Sequence, residues 1–135
     1  MTRRISASLV SCLALAACNN NQQTAKEPNI RVVSDEQIQL HKLDAFNLAI
    51  GLKRAIYDAG YTCKRITNAG YVGVWQNLDE WTAHCEYDQG SPRDWAIFAG
   101  PDGSAQVRDC KDVVATGLPA CVIKERPKGS FTFKS

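Results

Sequence analysis

Four patterns of apolar and polar positions follow one another along the chain. An apolar run of about 13 residues from Ile5 to Ala17 follows Arg3 and Arg4; it is too short to span a bilayer and has the make-up of a processed signal segment. From Asn19 to Asn29 there is almost nothing apolar to bury, which predicts a solvated tether. Val33-Ser34-Asp35-Glu36-Gln37-Ile38 then reads as a helix start. Ser34 and Gln37 are spaced for a capping box, Val33 and Ile38 for a hydrophobic staple, and Asp35 and Glu36 complement the helix dipole. At 100° per residue, Ile38, Ala45, Leu48, Ala49, Leu52, Ala55, Ile56 and Ala59 fall on one stripe, with Asp44, Asn47, Gly51, Arg54 and Asp58 opposite. This spacing predicts one long amphipathic helix ended by Gly60, with His41 packed at the edge of the stripe.

Beyond Gly60 the period changes to short runs bounded by turn residues, which predicts antiparallel strands. The first runs from Ile66 to Trp75, with Gly70 and Gly73 marking a bulge or a close backbone approach. Asn77-Leu78-Asp79 is read as the turn out of it. In the second strand Trp81, Ala83, Cys85 and Tyr87 share one face, with Thr82, His84 and Glu86 on the other. Trp95 to Ala99 is apolar enough for a central strand, and Pro101-Asp102-Gly103 turns the chain into a fourth from Ser104 to Arg108. Asp109 can cap a short helix from Cys110 to about Thr116, stopped by Gly117 and Pro119. The last segment, 124–135, is basic and alternates Phe131 with Phe133, a pattern equally suited to an edge strand and to a loose tail.

Leu15-Ala16-Ala17-Cys18, which closes the apolar run, resembles the lipobox of bacterial lipoproteins at all four positions. Ordinary secretory signals also place small residues before their cleavage site, but the polar run after Cys18 is the tether a lipid-anchored domain needs. The resemblance implies a diacylglyceryl group on the Cys18 sulfur, cleavage before Cys18, and acylation of the new amino terminus. With two or three acyl chains, each buried methylene contributing about 0.8 kcal/mol, anchoring is effectively permanent without a transmembrane helix. By the same resemblance, Asn19 in place of the Asp that retains enteric lipoproteins in the inner membrane implies the outer membrane, with the domain facing the periplasm.

Processing changes the charge. Removing residues 1–17 takes Arg3 and Arg4, so Lys plus Arg falls from 16 to 14 and equals the 14 Asp plus Glu. The pI near 8.2 therefore owes much to the signal segment, and the mature chain has no electrostatic footprint for nucleic acid. Of the six cysteines, Cys12 leaves with the signal and Cys18 is lipidated, which leaves Cys63, Cys85, Cys110 and Cys121. Four in an oxidising compartment read as two disulfides with three possible connectivities. Cys63 to Cys85 and Cys110 to Cys121 is the expected set: the first ties a helix exit to a central strand, the second closes a short loop.

Candidate chemistry is sparse. The cysteines and the two histidines show no short paired spacing, so no metal or other cofactor is expected. A nucleophilic thiol beside His84 fails because strand neighbours point to opposite faces and the thiol should be oxidised. Asp79-Glu80 and Glu86 with Asp88 are carboxylate pairs of the kind a glycosidase needs, but beside turns they read as solvated acidic residues. There is no phosphate-binding glycine loop, nucleophile elbow or zinc-protease motif. Trp75, Trp81 and Trp95 with Tyr61, Tyr71 and Tyr87 are concentrated in the sheet region, where aromatics fill a core or form a platform for sugars or a partner. Trp75, at a strand end before Gln76-Asn77, is the candidate partner contact.

The sequence thus predicts a signal segment (1–17), a lipidated Cys18 with its tether (18–32), an α+β domain (33–123) and a basic tail (124–135). In the domain a long helix packs on a four-stranded antiparallel sheet, with a short C-terminal helix and two disulfides. The plan is similar to small periplasmic helix-on-sheet domains, including PepSY-type modules, over roughly Ile38 to Arg108; the likeness is architectural and brings no site residue with it. The expected role is non-catalytic: a binding or accessory module of the cell envelope, with an envelope protein or peptidoglycan as partner. The alternative is an inhibitor of a cell-wall enzyme, because some lysozyme inhibitors resemble this chain in being small, disulfide-bonded bacterial lipoproteins. Those are compact β-barrels, a plan from which the helical pattern here departs.

Overall fold

A computed structural model describes residues 31–131. The lipobox, Cys18, the tether to residue 30 and residues 132–135 lie outside the described residues. The architecture is α+β: helices α1 (Asp35–Lys42) and α2 (Ala45–Asp58), strands β1 (Arg65–Trp75), β2 (Leu78–Glu86), β3 (Arg93–Ala99) and β4 (Ala105–Asp109), and a single-turn α3 (Cys110–Val113). The strands form an antiparallel sheet in chain order, β1-β2-β3-β4. Among the described residues no helix is long and apolar enough to cross a membrane.

The single long helix expected from periodicity is two helices. Leu43 is extended, with φ −68° and ψ 141°, and Asp44 caps α2 by accepting from the Asn47 amide at 2.8 Å. A carboxylate on the polar face of a periodic run can equally cap a new helix, and here Asp44 does so. The break also turns α1. Its buried side chain is Gln37, not Ile38, which stays 40% exposed. The Gln37 amide donates to the carbonyls of Asn77 and Ala99, while its side-chain oxygen accepts from the Ser34 amide to complete the capping box. One residue thus caps its own helix and pins it to the sheet.

Leu48, Leu52 and Ile56 of α2 pack with Ile66, Ala69, Trp81, Ala83, Trp95 and Ile97 on one face of the sheet. On the other face Ala96, Phe98 and Val113 form a smaller cluster with Trp75, Leu78, Leu118 and the Cys110–Cys121 disulfide. The sheet is therefore covered on both sides, which a 14-residue helix on one face could not achieve alone. The second disulfide, Cys63–Cys85, ties the loop after α2 to β2 within the larger core.

The segment from Lys124 to Phe131, read from the sequence as part of a tail, lies against the domain. Glu125 pairs with Tyr71 on the outer edge of β1, the Lys128 carbonyl accepts from the first amide of α2, and Phe131 packs on the larger core. Gly70 permits this approach: a Cβ there would stand 2.5 Å from the Glu125 carbonyl and from the Ile123 side chain. Gly73 sits beside a register shift in β1.

Candidate functional site

The turn after β1 is tighter than the sequence suggests. Trp75 pairs with Leu78, so the loop is Gln76-Asn77 alone, with Gln76 at φ 55° in the position a two-residue hairpin usually gives to glycine. Leu78 and Asp79 are strand residues as a result. Asp79 and Glu80, expected to be solvated in a turn, are both fully buried.

Alternation along β2 sends the two carboxyl groups to opposite faces. Asp79 lies on the face covered by the N-terminal helices, ion-paired with Arg31 and with His41 Nε2 3.4 Å from its Oδ2. His41 fits between Tyr71 and Trp81, with ring centroids 4.5 and 4.9 Å away. Burial, followed by the charge of Asp79, raises the Tyr71 phenol above its ordinary pKa. Glu80 lies on the other face, opposite Phe98 and Gly73. Neither of its oxygens has a hydrogen-bond partner, and burial pushes its pKa up to about 7 against a weaker opposing pull from Lys124. Two carboxyl groups on opposite sides of a sheet cannot flank one bond, as acid–base hydrolysis requires.

The other residues singled out in the sequence fall into structural roles. Trp75 is half-buried and meets Phe98 edge-on at 6.1 Å in the smaller core. His84 pairs across the strands with Asp94. Glu86 and Asp88 form exposed ion pairs with Arg65 and Lys64. The four remaining cysteines are consumed by the two disulfides. Among the described residues no group of three or more His, Cys, Asp or Glu could hold a metal ion.

What the chain brings together instead is a pair of adjoining clefts of mixed polar and apolar lining at the end of the sheet near Cys63–Cys85. One, about 420 Å³, lies between the loop Gly60-Tyr61-Thr62 and the β2–β3 turn with Gln89, Gly90 and Ser91. The other, about 550 Å³, lies between the same Tyr61 and the region of Arg108, Asp109, Asp112 and Thr116. Tyr61, Arg93 and Trp95 line both: Tyr61 and Arg93 form the ridge between them, over the buried Trp95.

The ridge is held from beneath. Trp95 is only 2% exposed and backs Tyr61 at 4.6 Å with the rings tilted by 33°, whereas Tyr61 keeps 43% of its surface open. The Arg93 guanidinium lies 6.0 Å from the Trp95 ring and 3.9 Å from Asp109. The Trp95 indole donates to the Tyr87 hydroxyl, which donates to the Thr62 carbonyl at 2.7 Å. Together with Cys63–Cys85, this chain fixes the loop that carries Tyr61.

A third hollow, about 500 Å³ and apolar, runs between α2 and the start of β1, with Phe131 in its wall. The two clefts that share Tyr61 were not legible in the sequence. Tyr61 was visible as an aromatic of the sheet region, but its meeting with Arg93 and Asp112 depends on contacts between distant segments. No family model matches the chain, and no curated protein or solved structure matches it either.

Proposed function

We propose that the mature protein is a lipid-anchored, non-catalytic binding module of the cell envelope, held by Cys18 at the outer membrane and facing the periplasm. The lipobox resemblance, the polar run after Cys18 and the even number of remaining cysteines support the placement. The observation that carries the binding role is the ridge of Tyr61 and Arg93, backed by Trp95, between two clefts. An aromatic surface with a few fixed polar groups is the composition of a recognition site. Asp79 and Glu80, the buried carboxyl pair, are divided between the two faces of the sheet and cannot act on one bond, and Glu86 and Asp88 are held in exposed ion pairs with Arg65 and Lys64.

The test is capture from envelope extracts by the full mature protein, purified in detergent, with Arg93→Ala as the comparison. An envelope component retained by the wild type and lost by the variant supports the reading. Retention of nothing, or turnover of a cell-wall substrate by the purified protein, overturns it. Inhibition of lysozyme by the same preparation would move the protein to the inhibitor class.

A further inference from the structure

We infer that the two clefts joined by Tyr61, Arg93 and Trp95 bind a saccharide chain, and that the glycan of the cell wall is the ligand they fit. This rests on the envelope-facing reading above and adds the chemistry of the ligand to it.

The first ground is the ridge itself. A sugar ring presents an apolar C–H face and a rim of hydroxyls, so it is recognised by an aromatic ring beneath it and planar polar side chains beside it. Tyr61 supplies a partly exposed ring on a rigid Trp95 backing. Arg93 stands next to it, ordered by the indole and by Asp109, with a guanidinium suited to paired hydrogen bonds.

The second ground is charge. In the cleft toward β4, Arg93 and Arg108 are matched by Asp109 and Asp112. A balanced set of donors and acceptors has no field to gather a polyanion, but it suits a neutral polyhydroxylated ligand.

The third ground is shape and stiffness. Two clefts of about 420 and 550 Å³ share Tyr61, Arg93 and Trp95 in their walls, so one ligand longer than a single sugar ring can reach both. The disulfide Cys63–Cys85 and the Tyr87 to Thr62 hydrogen bond hold one wall in place before binding, which lowers the ordering cost of association.

The experiment uses the full mature protein in detergent with two probes: a tetramer of N-acetylglucosamine followed by tryptophan fluorescence, and isolated cell-wall sacculi followed by co-sedimentation. The expected result is a saturable fluorescence change with the tetramer, and displacement of the protein from sacculi by the tetramer. Tyr61→Ala and Arg93→Ala should each weaken binding about tenfold with little change in melting temperature, and Tyr61→Phe should retain it. Because Tyr61 and Arg93 keep 43% and 56% of their surface open, at least one of the two alanine variants should fold normally. Co-sedimentation that the tetramer leaves intact and a soluble stem peptide abolishes would overturn the saccharide assignment and keep the binding module. Unchanged binding in both folded alanine variants would overturn this site. Absence of binding to sacculi, to the tetramer and to any envelope protein would overturn both readings.

Discussion

Asp79 and Glu80 are neighbours on β2, both without solvent-exposed surface, and their carboxyl groups enter different cores. Asp79 is offset by Arg31 and His41, whereas Glu80 has no hydrogen-bond partner. The difference separates their consequences for stability.

Glu80 should make stability fall as pH rises. Its pKa is about 7 in the folded protein against an ordinary 4.5, with desolvation as the main cause. A raised acid pKa contributes stability that is fully present below pH 4.5 and lost as pH climbs through 7. The span corresponds to about 3 kcal/mol. Urea denaturation at pH 4.5 and pH 8 should show this decline, and Glu80→Gln should flatten it, with the variant the more stable of the two at pH 8. Equal pH dependence in wild type and variant would show that Glu80 is not the titrating group.

Arg31 falls within the 18–32 segment read as a tether, yet its ion pair with Asp79 makes it part of the fold. Arg31→Ala leaves the Asp79 carboxylate buried without its guanidinium partner, with His41 and the Tyr71 phenol still beside it, and breaking a buried pair in this way costs about 3 kcal/mol. Asp79→Asn in the Arg31→Ala background should recover part of the loss, as measured by the urea midpoint.

How much of this was readable from the sequence depends on how local each cause is. The strands were, because Trp81, Ala83 and Cys85 alternate with Thr82 and His84 and the Pro101-Asp102-Gly103 turn is a local signal. The break at Leu43-Asp44 was not, because Ile38 and Ala45 are seven residues apart and continue the stripe across two turns whether or not the helix is interrupted. Burial of Asp79 requires Arg31, 48 residues earlier, and burial of Glu80 reflects the covering of the second face by α3 and the C-terminal segment. The clefts are further from the sequence still. They form where the α2–β1 loop, the β2–β3 turn and the start of α3 converge.

Two glycines should respond oppositely to alanine. At Gly70 a Cβ would meet the Glu125 carbonyl and Ile123 at 2.5 Å, so Gly70→Ala must push the C-terminal segment off the β1 edge. A loss of about 2 kcal/mol and faster proteolysis after residue 121 are expected. At Gly51, inside α2, a Cβ meets nothing within 4 Å, so Gly51→Ala should add about 0.5 to 1 kcal/mol. Thermal melts of the pair check both signs.

The disulfides should differ in weight. Cys63–Cys85 spans 22 residues and Cys110–Cys121 spans 11, so the first removes more entropy from the unfolded chain, each being worth about 2 to 4 kcal/mol. Cys63 and Cys85 are also fully buried in the larger core. The Cys63→Ala, Cys85→Ala double variant should melt lower than the Cys110→Ala, Cys121→Ala one and should loosen Tyr61, lowering tetramer binding along with stability.

Every role proposed for the domain requires that the chain be held at the envelope by Cys18. Mass spectrometry of the mature amino-terminal peptide from the native host decides this. The expected result is a peptide that begins at Cys18, carries a diacylglyceryl group on the sulfur, and is absent from a Cys18→Ser variant. A chain cut elsewhere with an unmodified Cys18, or one that keeps residues 1–17, would contradict it.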